Sequence, residues 1–253
     1  MTLSLLRWHE RYQQQAKWTA NLRKHLYSRA GMDRAQKVLD VGCGTGVLLD
    51  ELTDSDSSSV FGIDIDRHSV SMAQTSIPNA GIVIGDGISL PYRSGSFDIT
   101  LCHFVLLWVK NPLQFIQEMT RVTRPGGYIL VLAEPDYGGR IDYPDELATV
   151  GKWQTESLLR QGANPFLGRE LRSFFSASNL INVEVGVLGG QWMDHDDSTD
   201  HETEWEVIDS DLQGKVEYLQ IREELKTLDK SSRKTNQRIL FVPVFYAIGE
   251  LKL

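Results

Sequence analysis

Apolar residues follow two rhythms along this chain. Over residues 1–30, Leu5, Trp8, Tyr12, Ala16, Leu22 and Leu26 recur at three- and four-residue spacing, which predicts a long amphipathic helix with Gly31 as its stop. From residue 38 onward the pattern changes to short apolar runs separated by helical stretches. Runs at 38–41, 60–64, 82–85, 99–103 and 128–132 read as strands. Residues 47–52 carry the apolar spacing of a helix start. Asp66, ahead of Arg67-His68-Ser69, reads as the N-cap of the next helix. Asn111-Pro112 marks another start, a capping residue followed by proline in the first turn.

The later part of the chain is less regular. Residues 147–159 and 168–178 read as helices, and 180–188 alternates as a strand with Ile181, Val183, Val185 and Val187 on one face. A long excursion over 189–236 separates it from a last strand near 244–248. Within the excursion, Trp205, Ile208, Leu212, Val216 and Leu219 form a helical apolar stripe that must bury against something. Segments 136–165 and 189–236 are expected as cap insertions over the substrate side, with Trp153, Phe166 and Trp192 lining the interior. Residues 1–30 then form a helical segment that closes over the site, and 31–253 the main domain.

Candidate chemistry starts where the first strand runs into glycines. Gly42, Gly44 and Gly46 occupy alternate positions after Asp40-Val41, a strand–glycine loop–helix unit that places a nucleotide-like ligand at the strand's carboxyl end. A tight turn packing helix on strand is the plainer alternative. The dinucleotide fingerprint needs a third glycine where this chain has Val47, so a nicotinamide-dependent oxidoreductase fails at the spacing. Asp64 ends the second strand 18 residues past Gly46, where a carboxylate can accept both ribose hydroxyls. Asp86-Gly87 closes the third strand, and Asp86 alone reads equally well as an Asx-turn.

Taken in order, Asp40 with the glycine loop, Asp64, Asp86-Gly87, Ser89-Leu90-Pro91-Tyr92, Gly95-Ser96-Phe97-Asp98 and Arg124-Pro125-Gly126-Gly127 resemble the class I S-adenosylmethionine-dependent methyltransferases. The likeness is to the menaquinone/ubiquinone-biosynthesis type and covers roughly residues 36–135. It implies a doubly wound, mostly parallel seven-stranded α/β sheet, Rossmann-like, here with helical cap insertions. It implies S-adenosyl-L-methionine as cofactor, held by Gly42, Cys43, Gly44, Gly46, Asp64, Ile65, Asp86, Gly87 and Cys102, with Asp40 supporting the loop. In this family the aspartate after the third strand accepts the adenine amine. N-terminal helices of similar enzymes close over the cofactor, a role open to Tyr12, Trp18 or Arg23; the alternative is a helix that only packs on the sheet. Pro243 departs from the family pattern, because the last strand is inserted inside the sheet, where proline is disfavoured. The strand is therefore placed after it.

Methyl transfer from a sulfonium needs a base only if the nucleophile must lose a proton. His103, after the fourth strand, is the candidate; lining the pocket is its plainer role. Cys102 lacks any Cys/His triad context. Asp194-His195-Asp196-Asp197 and Asp200-His201-Glu202 lack the turn glycine or i,i+4 histidine pair of a metal site and read as a solvated acidic loop.

Composition narrows the acceptor. The 253 residues suit one α/β domain, and the two cysteines, Cys43 and Cys102, fit a reducing cytoplasm rather than a disulfide framework. No apolar run approaches a membrane span, and the first 30 residues are too polar for a signal peptide. Net charge is −8 with no basic stripe, which disfavours a nucleic-acid substrate. The Asp/Asn-Pro-Pro-aromatic motif of amino-methyltransferases acting on nucleic acids is also absent. The expectation is an enzyme transferring methyl to a small molecule, with a non-catalytic cofactor-binding module, or a protein or nucleic-acid methyltransferase, as alternatives.

Overall fold

The computed structural model describes residues 4–53, 59–190 and 198–253. In chain order its elements are α1 (Leu5–Ala30), β1 (Lys37–Val41), α2 (Val47–Thr53), β2 (Ser59–Asp64), α3 (Arg67–Ser76), β3 (Gly81–Ile84), β4 (Phe97–Cys102), α4 (Pro112–Val122), β5 (Thr123–Pro135) and β6 (Ile141–Tyr143). They continue with α5 (Ala148–Arg160), α6 (Leu171–Ser176), β7 (Leu180–Leu188), α7 (Ser198–Leu212), α8 (Val216–Lys234), β8 (Ile239–Phe241) and β9 (Val244–Leu251).

Seven strands form one sheet in the order β3-β2-β1-β4-β5-β9-β7. β9 runs antiparallel to both its neighbours, and the other six are parallel. This is the expected doubly wound, mostly parallel sheet. Both faces are covered, so its central strands are continuous apolar runs rather than alternating ones. Val38 joins one core with Leu26, Leu49, Val70 and Ile99; its neighbour Leu39 joins the other with Ile116, Met119 and Phe175. α1, α2 and α3 cover the first face, α4 and α6 the second.

Local signals hold where they were strongest. Asn111 Oδ1 accepts from Gln114 N with Pro112 in the first turn, and Asp66 accepts from His68 N and Ser69 N at the start of α3. β9 begins at Val244, one residue past Pro243. β7 departs from simple alternation. Asn182 has φ 53° and the pairing with β9 shifts between Ile181 and Glu184. Val183 and Val185 reach the core, whereas Ile181 and Val187 lie exposed on this edge strand.

The insertions pack together as a cap. Trp205, Ile208 and Leu212 of α7 bury against Leu147 and Val150 at α5 and against Tyr218 and Leu225 of α8. Val216 and Leu219 do not continue that stripe; both are exposed, because Gly214 (φ 85°) separates α7 from α8 and resets the helical phase. A strand pair unseen in the sequence, β6 with β8, ties the first insertion to the segment that follows the second. Beneath it Asp229 accepts from Trp205 Nε1 at 2.9 Å and from Arg233 and Arg238, and Arg238 and Arg140 both pair with Asp142. Trp153 packs with the cap core and Phe166 against Arg169, so neither lines the interior; Trp192 lies outside the described residues. Among the described residues no helix is long and apolar enough to cross a membrane.

Candidate active site

β1 ends at Val41, and the chain turns at once through the glycines into α2. Gly42 and Gly46 have left-handed φ values of 80° and 87°. A Cβ on Gly42 would stand 2.5 Å from Val105 Cγ2, and one on Gly46 2.6 Å from Ile77 Cδ1. Strain and collision together leave room for glycine alone. The two serve different neighbours. Gly42, like Cys43 and Gly44, lines a cavity at the carboxyl edge of the sheet, beside the β1/β4 switch point. A Cβ on Gly46 would point at Ala73 of α3 and at Ile77 just after it, and Gly46 is not among the residues that line the cavity.

β2 holds the loop in place. Ile63 O accepts from Gly42 N at 2.7 Å and Cys43 N at 3.1 Å, and Asp64 Oδ2 accepts from Gly44 N at 2.7 Å. Asp64 Oδ1 accepts from Asp66 N at 2.8 Å, which joins the loop to the cap of α3. Asp86 makes the Asx-turn, its Oδ1 accepting from Ile88 N at 3.1 Å, and still lines the cavity with Gly87 and Ile65.

Asp40 is 3% exposed, and no protein group among the described residues donates to its carboxylate. Burial, with the Asp64 charge second, pushes its pKa up to about 8. The carboxylate faces the cavity, where a nearby positive charge would favour its ionised form.

α1 forms one wall. Trp8, Arg11, Tyr12, Gln15 and Trp18 follow helical spacing and all line the cavity. The Tyr12 ring lies over Gly44. The helix is anchored by His9 Nδ1 at 2.8 Å from Thr45 Oγ1, and by Thr19 Oγ1 at 2.9 Å from His103 Nε2. Arg23 sits beneath, donating to Thr19 Oγ1 at 2.6 Å and pairing with Glu51 of α2; it does not reach the cavity. His9 and Thr19 were missed in the sequence, since nothing marks a polar residue that will meet a loop from another element.

His103 lines the cavity, but its Nε2 is committed to Thr19. Burial, then the Arg23 charge, pulls its pKa down to about 3, so the imidazole is neutral. Cys102, expected at the cofactor, is fully buried in the sheet core and is not among the residues that line the cavity. The turn after His103 is held by Glu134 of β5. Its carboxylate accepts from Val105 N, Leu106 N and Leu107 N at 2.9, 2.8 and 3.2 Å. Burial outweighs these three bonds and raises its pKa to about 7.

The cavity is about 1240 Å³ and runs from the glycine loop to the cap, where Leu147, Val150, Ile208 and Phe241 face it. Among the described residues no His, Cys, Asp and Glu side chains group as a metal site, and Asp194–Asp197 lie outside them.

A glycine loop after β1, acidic residues at the ends of three successive strands and a 3-2-1-4-5 sheet completed by an inserted antiparallel strand make up the fold of the class I methyltransferases. A methyltransferase domain family matches residues 39–131. The demethylmenaquinone methyltransferase of Staphylococcus aureus is 33% identical over 187 residues, 66% of this chain and 77% of that protein. An uncharacterised 37.1 kDa protein of transposon TN4556 from Streptomyces fradiae is 37% identical over 144 residues, 54% of this chain but 41% of that protein. Among solved structures, Haemonchus contortus phosphoethanolamine N-methyltransferase 2 in complex with S-adenosyl-L-methionine shares the fold: TM-score 0.61, 15% identity, 92% of this chain and 53% of that one. The chain belongs to the class I S-adenosylmethionine-dependent methyltransferases and is similar to the menaquinone methyltransferases. Its cofactor is S-adenosyl-L-methionine.

Proposed function

We propose that the methyl acceptor is a small, largely apolar molecule held between the glycine loop and the cap. One observation carries this reading: the cavity of about 1240 Å³ exceeds the roughly 300–1,000 Å³ of a pocket for one ligand, and Leu147, Val150, Leu158, Ile208 and Phe241 give its cap side an apolar surface beside the polar groups there. A relative named for demethylmenaquinone supports an acceptor of that kind.

The donor supplies a methyl group on a sulfonium, already activated for in-line displacement. The chain's own part is to bind, orient and exclude water. In this reading Asp40 meets the donor's ammonium, and Gly42, Cys43 and Gly44 let the backbone approach it. Asp64 keeps lone pairs for the ribose hydroxyls. Asp86 keeps its second oxygen for the adenine amine, beside Ile65 and Gly87. Tyr12 and Trp18, from α1, close the donor pocket with their rings. His103 does not remove a proton through Nε2; it holds α1 to the β4 end as a neutral partner of Thr19.

Purified protein, methyl-labelled S-adenosyl-L-methionine and fractionated metabolites test the acceptor class. Label is expected in a low-mass fraction that partitions into organic solvent. Label found only on protein or nucleic acid would refute the reading.

A further inference from the structure

The cap wall carries a polar cluster that donor binding leaves unused. Asp211, near the end of α7, is half-buried and lines the cavity, as do Gln154 and Gln161 of and after α5. A neighbour fixes the orientation of each glutamine. Arg140 Nη1 donates to Gln154 Oε1 at 2.7 Å, and a guanidinium has donors only, so the amide nitrogen is the atom left to face Asp211. Ser157 Oγ donates to Asp211 O at 2.6 Å and accepts from Gln161 Nε2 at 3.3 Å. Both amide nitrogens thus approach one carboxylate, Gln154 Nε2 to Oδ2 and Gln161 Nε2 to Oδ1, each at 3.5 Å. A well-formed N–H···O bond spans about 2.9–3.0 Å. The carboxylate is bracketed but not saturated, and each amide keeps a second N–H.

The charges on this wall are otherwise committed. Arg140 and Arg238 pair with Asp142, and Arg233 with Glu204 and Asp229. Burial raises the Asp211 pKa, while the two glutamine amides and the Arg11 guanidinium of α1 draw it back.

We propose that Asp211, Gln154 and Gln161 form the specificity element of the acceptor subsite, and that the acceptor carries an alcohol or phenol hydroxyl that donates to Asp211 while accepting from a glutamine amide. This rests on the reading of the cavity as an acceptor chamber. A hydroxyl suits the cluster because it is donor and acceptor at once, and neutral. An anionic group would meet the Asp211 carboxylate. A protonated amine would offer the amides nothing. A plain hydrocarbon would desolvate the carboxylate without replacing its hydrogen bonds.

The test is isothermal titration of the full chain saturated with S-adenosylhomocysteine, using 2-naphthol and the size-matched 2-methylnaphthalene as probes. Wild-type protein is expected to bind 2-naphthol about tenfold or more tightly than 2-methylnaphthalene. Asp211→Leu, and separately Gln154→Leu, should bring the two probes within about twofold of each other. Affinity for S-adenosylhomocysteine, unchanged in both variants, reports that they are folded. Should Asp211→Leu fail that control, Gln154→Leu and Gln161→Leu carry the comparison. Equal binding of both probes to wild type, or a naphthol preference that survives the substitutions, overturns the hydroxyl subsite and leaves the acceptor chamber standing. Binding of neither probe while S-adenosylhomocysteine binds overturns both. Failure of S-adenosylhomocysteine to bind wild type removes the donor site on which both depend.

Discussion

Asp64 Oδ2 accepts the backbone N–H of Gly44 at 2.7 Å, so the carboxylate that ends β2 also fixes the glycine loop that follows β1. Ligand recognition and loop geometry therefore share one side chain. Asp64→Ala is expected to weaken S-adenosylhomocysteine binding by about 1–3 kcal/mol, the cost of removing a charged acceptor from polar partners. Titration calorimetry checks this; an unchanged affinity would contradict the ribose assignment. The sheet should persist, because Asp64 is not part of either apolar core.

Asp40 makes two pH dependences of opposite sign. Its pKa rises from an ordinary carboxylate value to about 8 in the folded protein. The unfolded chain then binds fewer protons than the native state between about pH 4 and 8, so this group's stability contribution is full below pH 4 and lost as pH rises through 8. A ligand ammonium prefers the ionised carboxylate, so donor affinity should increase over the upper part of the same window. Asp40→Asn should flatten both trends relative to wild type, read by urea unfolding without ligand and by titration at pH 6 to 9. Identical pH slopes in variant and wild type would rule out the assignment.

His103 predicts the reverse sign. Its pKa is lowered from 6.5 to about 3, so the unfolded chain binds more protons over that interval, and stability from this group falls as pH drops below 6.5. The neutral imidazole gives no titration between pH 6 and 9. His103→Asn should therefore leave the shape of the pH–rate profile unaltered over that range once an acceptor is known. Loss of an ionisation near pH 6–7 in the variant would show that His103 does act as a base.

We expect α1 and the cap to respond together to the donor. Trp8, Arg11, Tyr12, Gln15 and Trp18 line the cavity, and Arg7 reaches Glu206 of α7 at 3.3 Å. Hydrogen exchange with S-adenosylhomocysteine should show added protection over residues 8–19 and in α7, as a lid excluding water from the reacting pair requires. Protection confined to the glycine loop, Asp64 and Asp86 would rule out a coupled lid.

The sheet half of this protein was readable because its signals are local. Asn111, Asp66 and Gly31 act on their own helix ends, and the apolar runs of β1, β4 and β5 fill strands buried on both faces. Gly46 and Cys102 do not line the cavity that their neighbours line, because adjacent residues point to opposite sides of a loop or strand and a motif does not say which members face it. Glu134 was a visible anomaly, a carboxylate in an apolar strand, but its three partners lie 27–29 residues away. The cap was harder still. Its stripe is interrupted by Gly214, and β6 meets β8 across nearly the whole second half of the chain.

The position of β9 dictates an order of events during synthesis. Among the described residues β7 pairs only with β9, so it leaves the ribosome as a strand without a neighbour and waits some 60 residues for one. β8, directly before β9, completes the β6 pair in the same stretch. One short segment, residues 239–251, therefore fastens the sheet edge and the cap at once, after the cofactor-binding half has been made. Contacts of such long sequence separation form slowly. The intermediate exposes β5 and β7 as open edges, the state in which a nascent chain of this topology is most in need of a chaperone.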